Sequence, residues 1–124
     1  MRHFLDTYAL VEILNGNPAY RGELEGAGTS LYHLFELHVQ LARLRDESTA
    51  DAVFGDLRPL AAEVEDADVL AASRFKRAHA KKRLSYADAL GYAMASQRGI
   101  ALVTGDTAFR GMDGVRFIPG LSRV

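Results

Sequence analysis

The stretch Ile100-Ala-Leu-Val-Thr-Gly-Asp106 decides the fold, because it is a short apolar run that ends at a glycine and an acid. An alanine-rich segment typical of a helix, residues 85–97, precedes it and stops at Arg98-Gly99. The pattern predicts a helix followed at once by a buried strand over residues 100–104. Asp106 then lies just beyond the end of that strand.

The same alternation of strand and helix runs through the rest of the chain. The apolar run His3-Phe-Leu5 predicts a first strand, and Asp6 stands where a helix over residues 7–14 begins. Gly26-Ala-Gly28 interrupts the chain before Thr29-Ser-Leu31 leads into a long helix. The remaining predicted elements are helices over residues 49–58 and 66–83, a candidate short strand over 62–65, and a final edge strand over 115–118. This order predicts an α/β fold with a mainly parallel central sheet flanked by helices.

Length and composition narrow the function. The chain has 124 residues and is 48% hydrophobic, which predicts a single folded domain over residues 1–124 and argues against disorder. Its net charge of −1 argues against binding nucleic acid by bulk charge, so any such contact must be local. The absence of cysteine excludes disulfides and thiolate chemistry and suits a reducing cytoplasm. No apolar run approaches the roughly 18 residues of a membrane helix. We expect a soluble cytoplasmic protein that is not secreted and has no membrane partner.

Four acids occupy positions that need an explanation. Asp6 and Asp106 follow strands directly, and Asp88 lies at the start of a helix in Ser85-Tyr-Ala-Asp88. Glu36 is set among apolar residues in Leu34-Phe-Glu-Leu37, and a buried lone carboxylate is costly unless it is paired or binds metal. Because the ends of parallel strands meet along one edge of a sheet, acids far apart in sequence can converge there.

Each aspartate also has a simpler explanation. Asp6 could cap the helix that starts at Thr7, and Ser85 with Asp88 comes close to a capping box. Asp106 follows Gly105 in ordinary turn chemistry. The joint pattern, three acids at element ends and one on an apolar helix, favours a site over three separate caps.

Converging carboxylates predict a site for Mg²⁺ or Mn²⁺, since these hard cations take oxygen ligands and keep several waters. Such a cation can activate a water for hydrolysis of a phosphodiester, with one or two ions taking part. Ser30 and Thr104 are candidates to hydrogen-bond the carboxylates or the metal's waters, although ordinary polarity at strand ends would also explain them.

A basic cluster interrupts the otherwise near-neutral chain. It could hold the phosphate backbone of a substrate, although a solvated helix face is the commoner explanation for such charges. Arg43 and Arg45 could add to either role, whereas His33 and His38 are interpreted as packing or surface residues. The cluster consists of Arg74, Lys76, Arg77, Lys81, Lys82 and Arg83.

Four segments together resemble the PIN-domain ribonucleases, and most closely the VapC-type toxins of toxin–antitoxin systems. They are Phe4-Leu-Asp-Thr-Tyr-Ala-Leu10, a Thr29-Ser30 strand leading to Leu34-Phe-Glu-Leu37, Ser85-Tyr-Ala-Asp-Ala-Leu90, and Leu102-Val-Thr-Gly-Asp-Thr-Ala-Phe109. No single motif is specific, but their order and spacing match the family over nearly the whole chain.

The resemblance implies a magnesium-dependent endoribonuclease that hydrolyses RNA, is commonly a homodimer, and is inhibited by a cognate antitoxin protein. Asp6, Glu36, Asp88 and Asp106 take the positions of the catalytic, metal-binding acids. Many family members carry a further acid shortly after the fourth one, whereas Thr107 and Ala108 follow Asp106 here, so a single-metal reaction is an open alternative.

Three other classes of protein have features in common with this sequence. A receiver-like domain expects an acidic pair after the first strand, and a haloacid-dehalogenase-like phosphatase expects Asp-x-Asp, whereas Tyr8 stands two residues after Asp6. A catalytically inactive PIN-fold module that binds RNA or protein stays open. A scaffold of that kind has no physical need for four repelling carboxylates.

Overall fold

A computed structural model describes residues 1–121 as a sheet with helices on both faces. The strands are β1 His3–Leu5, β2 Ala27–Gly28, β3 Ala101–Thr104 and β4 Val115–Phe117. The α-helices are α1 Thr7–Leu14, α2 Leu31–Leu44, α3 Glu47–Leu57, α4 Asp66–Ala78 and α5 Tyr86–Gln97.

The four strands form one sheet in the order β2-β1-β3-β4, and every pairing is parallel. The predicted α/β fold with a parallel central sheet is therefore confirmed. The chain leaves β1 toward β2 on one side and returns to β3 on the other, so the switch in direction lies between β1 and β3. In open parallel sheets this switch point, at the carboxyl ends of the strands, is where ligands bind.

The sheet is buried on both faces because neighbouring residues of its central strands point in opposite directions. Phe4 and Leu102 join the core formed with α4 and α5. Leu5 and Val103 join the second core, formed with α1, α2 and α3. All four side chains are almost fully buried, so β1 and β3 are anchored tightly and the residues that follow them start from fixed positions.

Two predicted strands differ from the structure. The strand beside β1 is Ala27–Gly28 rather than Thr29-Ser30, and the Met1 side chain packs against Gly28, where a Cβ would lie 2.1 Å from the Met1 sulfur. The candidate strand over residues 62–65 is wrong: only a single bridge forms, between Thr29 and Ala61, and the chain then runs without ladder pairing to α4.

The predicted helix over residues 66–83 is shorter than expected. It ends at Ala78, and a 3-10 turn at Ala80–Lys82 leads to Arg83, which has a left-handed backbone with φ of +54°. Arg83 is the one non-glycine residue with positive φ among residues 1–121. The break redirects the chain into Ser85 and the start of α5.

A buried ion pair joins α4 to α5. Asp68 is 1% exposed, accepts hydrogen bonds from both terminal nitrogens of Arg98 at 2.8 and 3.1 Å, and also accepts one from the Glu65 backbone N–H at 2.9 Å. Hydrogen bonding from Arg98 holds the pKa of Asp68 below its usual value.

We expect Asp68→Asn to lower the free energy of unfolding by about 2 kcal/mol near neutral pH. Removing one partner of a fully buried ion pair costs roughly 3–5 kcal/mol, and we expect less here because the Arg98 side chain is 23% exposed. A lowered native pKa stabilises the fold above the ordinary aspartate pKa, and that contribution disappears as pH falls through the native pKa. Urea denaturation at several pH values measures the difference, with exposed Asp66→Asn in the same helical turn as the matched control. The ion-pair explanation would be contradicted if the free energies of unfolding of Asp68→Asn and wild type differed by the same amount at pH 7 and at pH 2.

Within residues 1–121, no helix has both the length and the hydropathy needed to cross a membrane.

Candidate active site

The carboxyl ends of β1 and β3 open into a cleft of about 360 Å³. All four acids that the sequence singles out line it: Asp6 follows β1, Asp106 follows β3, Glu36 comes from α2 and Asp88 from α5. Four different elements thus bring their acids to the switch point. The other lining residues are Thr7, Tyr8, Val11, Glu12, Gln40 and Ser85.

Asp6 is the most buried of the four acids, at 3% exposure. The pKa of its carboxyl is raised from 3.8 to about 7, mainly by burial and also by the charges of Asp88 and Asp106. A side-chain hydrogen bond with Thr104 and one from the Ala9 backbone N–H, at 2.9 Å, oppose the rise only in part. An opposite charge in the cleft would relieve this unfavourable arrangement.

Glu36 projects from α2 and is held by Thr7. The Thr7 hydroxyl donates a hydrogen bond of 2.7 Å to Glu36 Oε1, while its backbone belongs to the first turn of α1. Burial raises the pKa of Glu36, the Thr7 hydrogen bond lowers it, and the charge of Asp88 raises it again. Thr7 therefore sets where the carboxylate of one helix lies relative to the start of another.

Each aspartate is also a helix cap, so the simpler explanations describe real contacts. Asp6 caps α1, Asp88 forms a capping box with Ser85, and Asp106 caps the 3-10 turn Thr107–Phe109. In each case one carboxylate oxygen accepts the backbone hydrogen bond, at 2.9, 2.9 and 3.0 Å respectively. Capping and ligand binding are thus compatible, because the cap fixes the carboxylate and uses only one of its oxygens.

Thr104 connects two of these acids. It is fully buried, its hydroxyl accepts a hydrogen bond of 3.1 Å from the Asp106 backbone N–H, and its side chain is close enough to Asp6 to lower the pKa of that carboxyl. Ser30, the other candidate to hydrogen-bond the acids, makes different contacts. Its hydroxyl bonds the His33 ring at 2.6 Å and caps α2, and it is not among the residues that line the cleft.

The chemistry of the cleft fits a divalent cation. Carboxylates repel one another there, and no lysine or arginine is among the lining residues to balance them. Within residues 1–121, however, no three Asp, Glu or His side chains converge closely enough to enclose one ion directly. This arrangement suits an ion that keeps several waters and binds one or two carboxylates, as Mg²⁺ does. The metal-binding and catalytic roles of the four acids stay predictions.

Two polar residues of α1 that line the cleft, Thr7 and Glu12, were not singled out as site residues from the sequence. Glu12 is 4% exposed and its Oε2 accepts a hydrogen bond of 3.0 Å from the Asn17 side chain. Its setting among apolar residues in Leu10-Val-Glu-Ile13 is the signal that singled out Glu36, so the same test could have found it. Thr7 gives no comparable signal, because its partner Glu36 is 29 residues away.

The basic cluster is divided in the structure. Arg74 and Arg77 are exposed on α4, whereas Lys76 donates to the Leu84 carbonyl at 2.6 Å and lies 4.9 Å from the centre of the Tyr86 ring. Lys81, Lys82 and Arg83 belong to the connection between α4 and α5. Lys82 donates to the carbonyl of Ala108 at 3.1 Å, and Ala108 is the residue whose N–H Asp106 caps. Lys82 is therefore tied to the turn that carries Asp106, with Lys81 and Arg83 beside it in sequence.

Several solved structures share this architecture. A toxin–antitoxin complex from Klebsiella pneumoniae has 18% identity and a TM-score of 0.70 over 92% of this chain and 95% of that one. VapBC2 from Rickettsia felis, bound to a promoter DNA fragment, has 16% identity and a TM-score of 0.73 over 96% and 98%. VapBC-5 from Mycobacterium tuberculosis has 20% identity and a TM-score of 0.66 over 96% and 99%. At these identities the likeness establishes the fold.

No curated protein matches the chain significantly in sequence. The family described as PIN domain matches residues 3–115, which contain all five helices, the strands β1, β2 and β3, and all four cleft acids. The chain therefore belongs to the PIN domain family.

Proposed function

We propose that this protein is a metal-dependent endoribonuclease, the toxin of a toxin–antitoxin pair, that hydrolyses RNA phosphodiesters. The observation that carries the proposal is the convergence of Asp6, Glu36, Asp88 and Asp106 from four elements into one cleft without a balancing cation. The membership of the PIN domain family and the similar toxin–antitoxin structures support the same activity.

Asp6, Glu36, Asp88 and Asp106 would hold Mg²⁺ or Mn²⁺. Such a cation would lower the pKa of a bound water and offset the negative charge that develops on a phosphodiester. The protein's own contribution is to fix its carboxylates: backbone N–H groups hold the three aspartates, and the Thr7 hydroxyl holds Glu36. These groups are already in place before substrate arrives, so little reorganisation is needed.

Removal of metal tests the proposal directly. We expect purified protein to cleave a mixed RNA pool with Mg²⁺ or Mn²⁺, to stop with EDTA, and to resume when metal is restored. We also expect the metal to raise the melting temperature of the metal-free protein, because an ion that binds only the native state stabilises it. If the protein neither cleaves RNA nor gains stability from metal, an inactive PIN-fold module that binds RNA or protein is favoured instead.

The connection between α4 and α5 is proposed to hold the RNA backbone. Lys82 contacts the turn that carries Asp106, and Lys81 and Arg83 flank it in sequence, so these three charges would meet a phosphate chain that enters the cleft. Arg74 and Arg77 on α4 extend the positive surface, and Lys76 joins it through its contact with Tyr86. We propose the cytoplasm as the site of this activity, since RNA is present there and a cysteine-free chain suits a reducing compartment.

The variant Arg83→Gly separates charge from stability in the connection between α4 and α5. Glycine adopts a φ of +54° without strain, so we expect stability to be kept or slightly raised while one phosphate contact is lost. RNA affinity should fall, and the dependence of log K on log salt should become shallower by about 0.7 for a single-stranded substrate. Fluorescence anisotropy with the cleavage-deficient Asp6→Asn protein as background measures both.

Arg2→Ala is the matched control, since it removes the same charge just before β1, at the opposite end of the sheet from Asp6. Equal salt slopes for Arg83→Gly and Arg2→Ala would remove residues 81–83 from the proposed RNA path.

We propose a cognate antitoxin as the main protein partner. Beside the cleft, α4 and α5 form a largely apolar groove of about 650 Å³, with Tyr32 and Tyr86 in its lining. Tyr86 is 84% exposed, and Phe35 on α2 is 67% exposed. Exposed aromatic surface of this kind marks sites of protein association. The homodimer that the resemblance implies is part of the same proposal, and light scattering of the purified chain measures its mass.

A further inference from the structure

His33 is a buried histidine that the proposed chemistry does not use. It lies on α2, is 1% exposed, and its ring contacts Phe4 of β1 edge to face with the ring centres 5.2 Å apart. Its Nδ1 is hydrogen-bonded to the Ser30 hydroxyl at 2.6 Å, which fixes the ring's orientation. Burial lowers the pKa of His33 to about 4, so the ring is neutral at physiological pH.

The other ring nitrogen of His33 points at α5. The backbone of Ala87 is close enough to raise the His33 pKa slightly, yet Nε2 completes no hydrogen bond within residues 1–121. A buried polar atom without a partner is unfavourable, and an apolar side chain would avoid that cost. The ring's position therefore calls for an explanation beyond hydrogen bonding.

Gly91 of α5 is the residue that the ring approaches. A Cβ at Gly91 would lie 2.8 Å from His33 Nε2 and 3.1 Å from its Cε1, closer than real side chains pack. The backbone at Gly91 is helical, so the glycine answers the close approach and not a special backbone angle. His33 and Gly91 thus set how near α2 and α5 come to one another.

Both helices carry a cleft acid one turn from this contact. Glu36 follows His33 by three residues on α2, and Asp88 precedes Gly91 by three residues on α5. The Thr7 hydroxyl, which donates to Glu36, also lies 3.4 Å from the His33 carbonyl oxygen. A change in the separation of the helices at His33 would be passed directly to the distance between the two carboxylates.

We propose that His33 and Gly91 form a spacer that fixes the position of Glu36 relative to Asp88, with His33 acting as a positioning residue for the cleft. The proposal rests on the proposed function for its consequence in metal binding and catalysis. The spacing itself does not depend on that function.

Gly91→Ala tests the spacer by forcing a Cβ against the ring. We expect the Mg²⁺ concentration for half-maximal thermal stabilisation to rise about 10-fold or more, with a matching loss of cleavage at fixed Mg²⁺. Gly55→Ala is the matched control, because Gly55 lies within α3 and its added Cβ would meet nothing within 4 Å. In ¹H–¹⁵N spectra of the metal-free protein, only Gly91→Ala should move the amide signals around both Glu36 and Asp88.

The double variant His33→Ala/Gly91→Ala supplies the rescue. Removing the ring makes room for the new Cβ. The Mg²⁺ concentration for half-maximal stabilisation of the double variant should therefore return part of the way to the wild-type value. It should lie closer to that value than the concentration for His33→Ala alone does. The recovery is partial because Phe4 Cε1 would still lie 3.3 Å from that Cβ. The comparison of the double variant with His33→Ala remains decisive even where Gly91→Ala alone fails to fold.

The outcomes separate the spacer from the proposed function. A lowered melting temperature with unchanged Mg²⁺ dependence, or a double variant no closer to wild type than His33→Ala, would overturn the spacer. Gly91→Ala could shift the amide signals at Glu36 and Asp88, and the double variant could reverse those shifts, while the wild-type protein neither binds Mg²⁺ nor cleaves RNA. That result would support the spacer and reject the nuclease.

Discussion

Asp6→Asn is expected to cleave RNA at least about 100-fold more slowly than wild type, and to be more stable in the absence of metal. Activity falls because an amide is a weaker cation ligand and carries no charge to attract one. Stability rises because the buried, repelled carboxylate is removed, while the Asn side-chain oxygen can still accept the cap hydrogen bond from Ala9. The two effects have opposite signs, which a general loss of folding cannot imitate.

The stability gain depends on pH in a defined direction. The native pKa of Asp6 is raised from 3.8 to about 7, so the ionised carboxylate is disfavoured in the fold and wild-type stability is lost as pH rises through that interval. The increase in the free energy of unfolding caused by Asp6→Asn should be near zero below roughly pH 4 and reach about 4 kcal/mol above pH 7. Urea denaturation in EDTA across this range measures it.

Asp113→Asn is the control for Asp6→Asn, because it makes the same chemical change at an exposed turn outside the cleft. It should leave cleavage and stability unchanged. Unaltered cleavage by Asp6→Asn would mean that the cleft is not the catalytic centre. A gain in stability that is the same at pH 4 and pH 7 would show that the Asp6 carboxylate is not strained by burial.

Gly105→Ala is expected to lower the free energy of unfolding by about 3 kcal/mol and to cut activity strongly. The added Cβ would lie 2.4 Å from the Ile118 carbonyl oxygen and 2.4 Å from Tyr8 Cε1. The first of these atoms is backbone and is held by a 2.6 Å hydrogen bond from the Tyr20 hydroxyl, so it cannot move aside cheaply. Because Asp106 is the next residue, the forced shift displaces a cleft acid.

Thermal and urea unfolding of Gly105→Ala measure the loss of stability, and Mg²⁺ titration of its melting temperature measures the displacement of Asp106. Gly55→Ala serves as control, since its Cβ enters open space and alanine favours the helix. A Gly105→Ala protein as stable as wild type would show that the chain after β4 shifts freely, against the tight contact described here.

The sequence predicted those features that local patterns determine. The apolar runs of β1 and β3 predicted central strands, and the parallel arrangement followed from their alternation with helices. Asp6 and Asp106 could be placed at one edge because each directly follows such a strand. Asp88 could be placed at the start of α5 because Ser85 marks a helix cap.

The features that failed or were missed depend on contacts distant in sequence. The two-residue strand β2 has no apolar run, so no local pattern indicates its pairing with β1. The pairing of Thr7 with Glu36 joins residues in separate helices, and no local spacing indicates it. Ser30 was a candidate to hydrogen-bond the acids, and its hydroxyl instead bonds the His33 ring, a contact that the sequence did not indicate.

The dual use of the aspartates, as helix caps and as cleft acids, bears on how easily this activity could be lost during evolution. A single nucleotide change converts an aspartate codon to an asparagine codon, and asparagine can accept the same cap hydrogen bond. On the proposed function, a cell harmed by the toxin would have inactive, fully folded versions of it one mutation away at Asp6, Asp88 and Asp106. Lineages that keep all three aspartates would then be those in which the activity itself, and not the fold, is under selection.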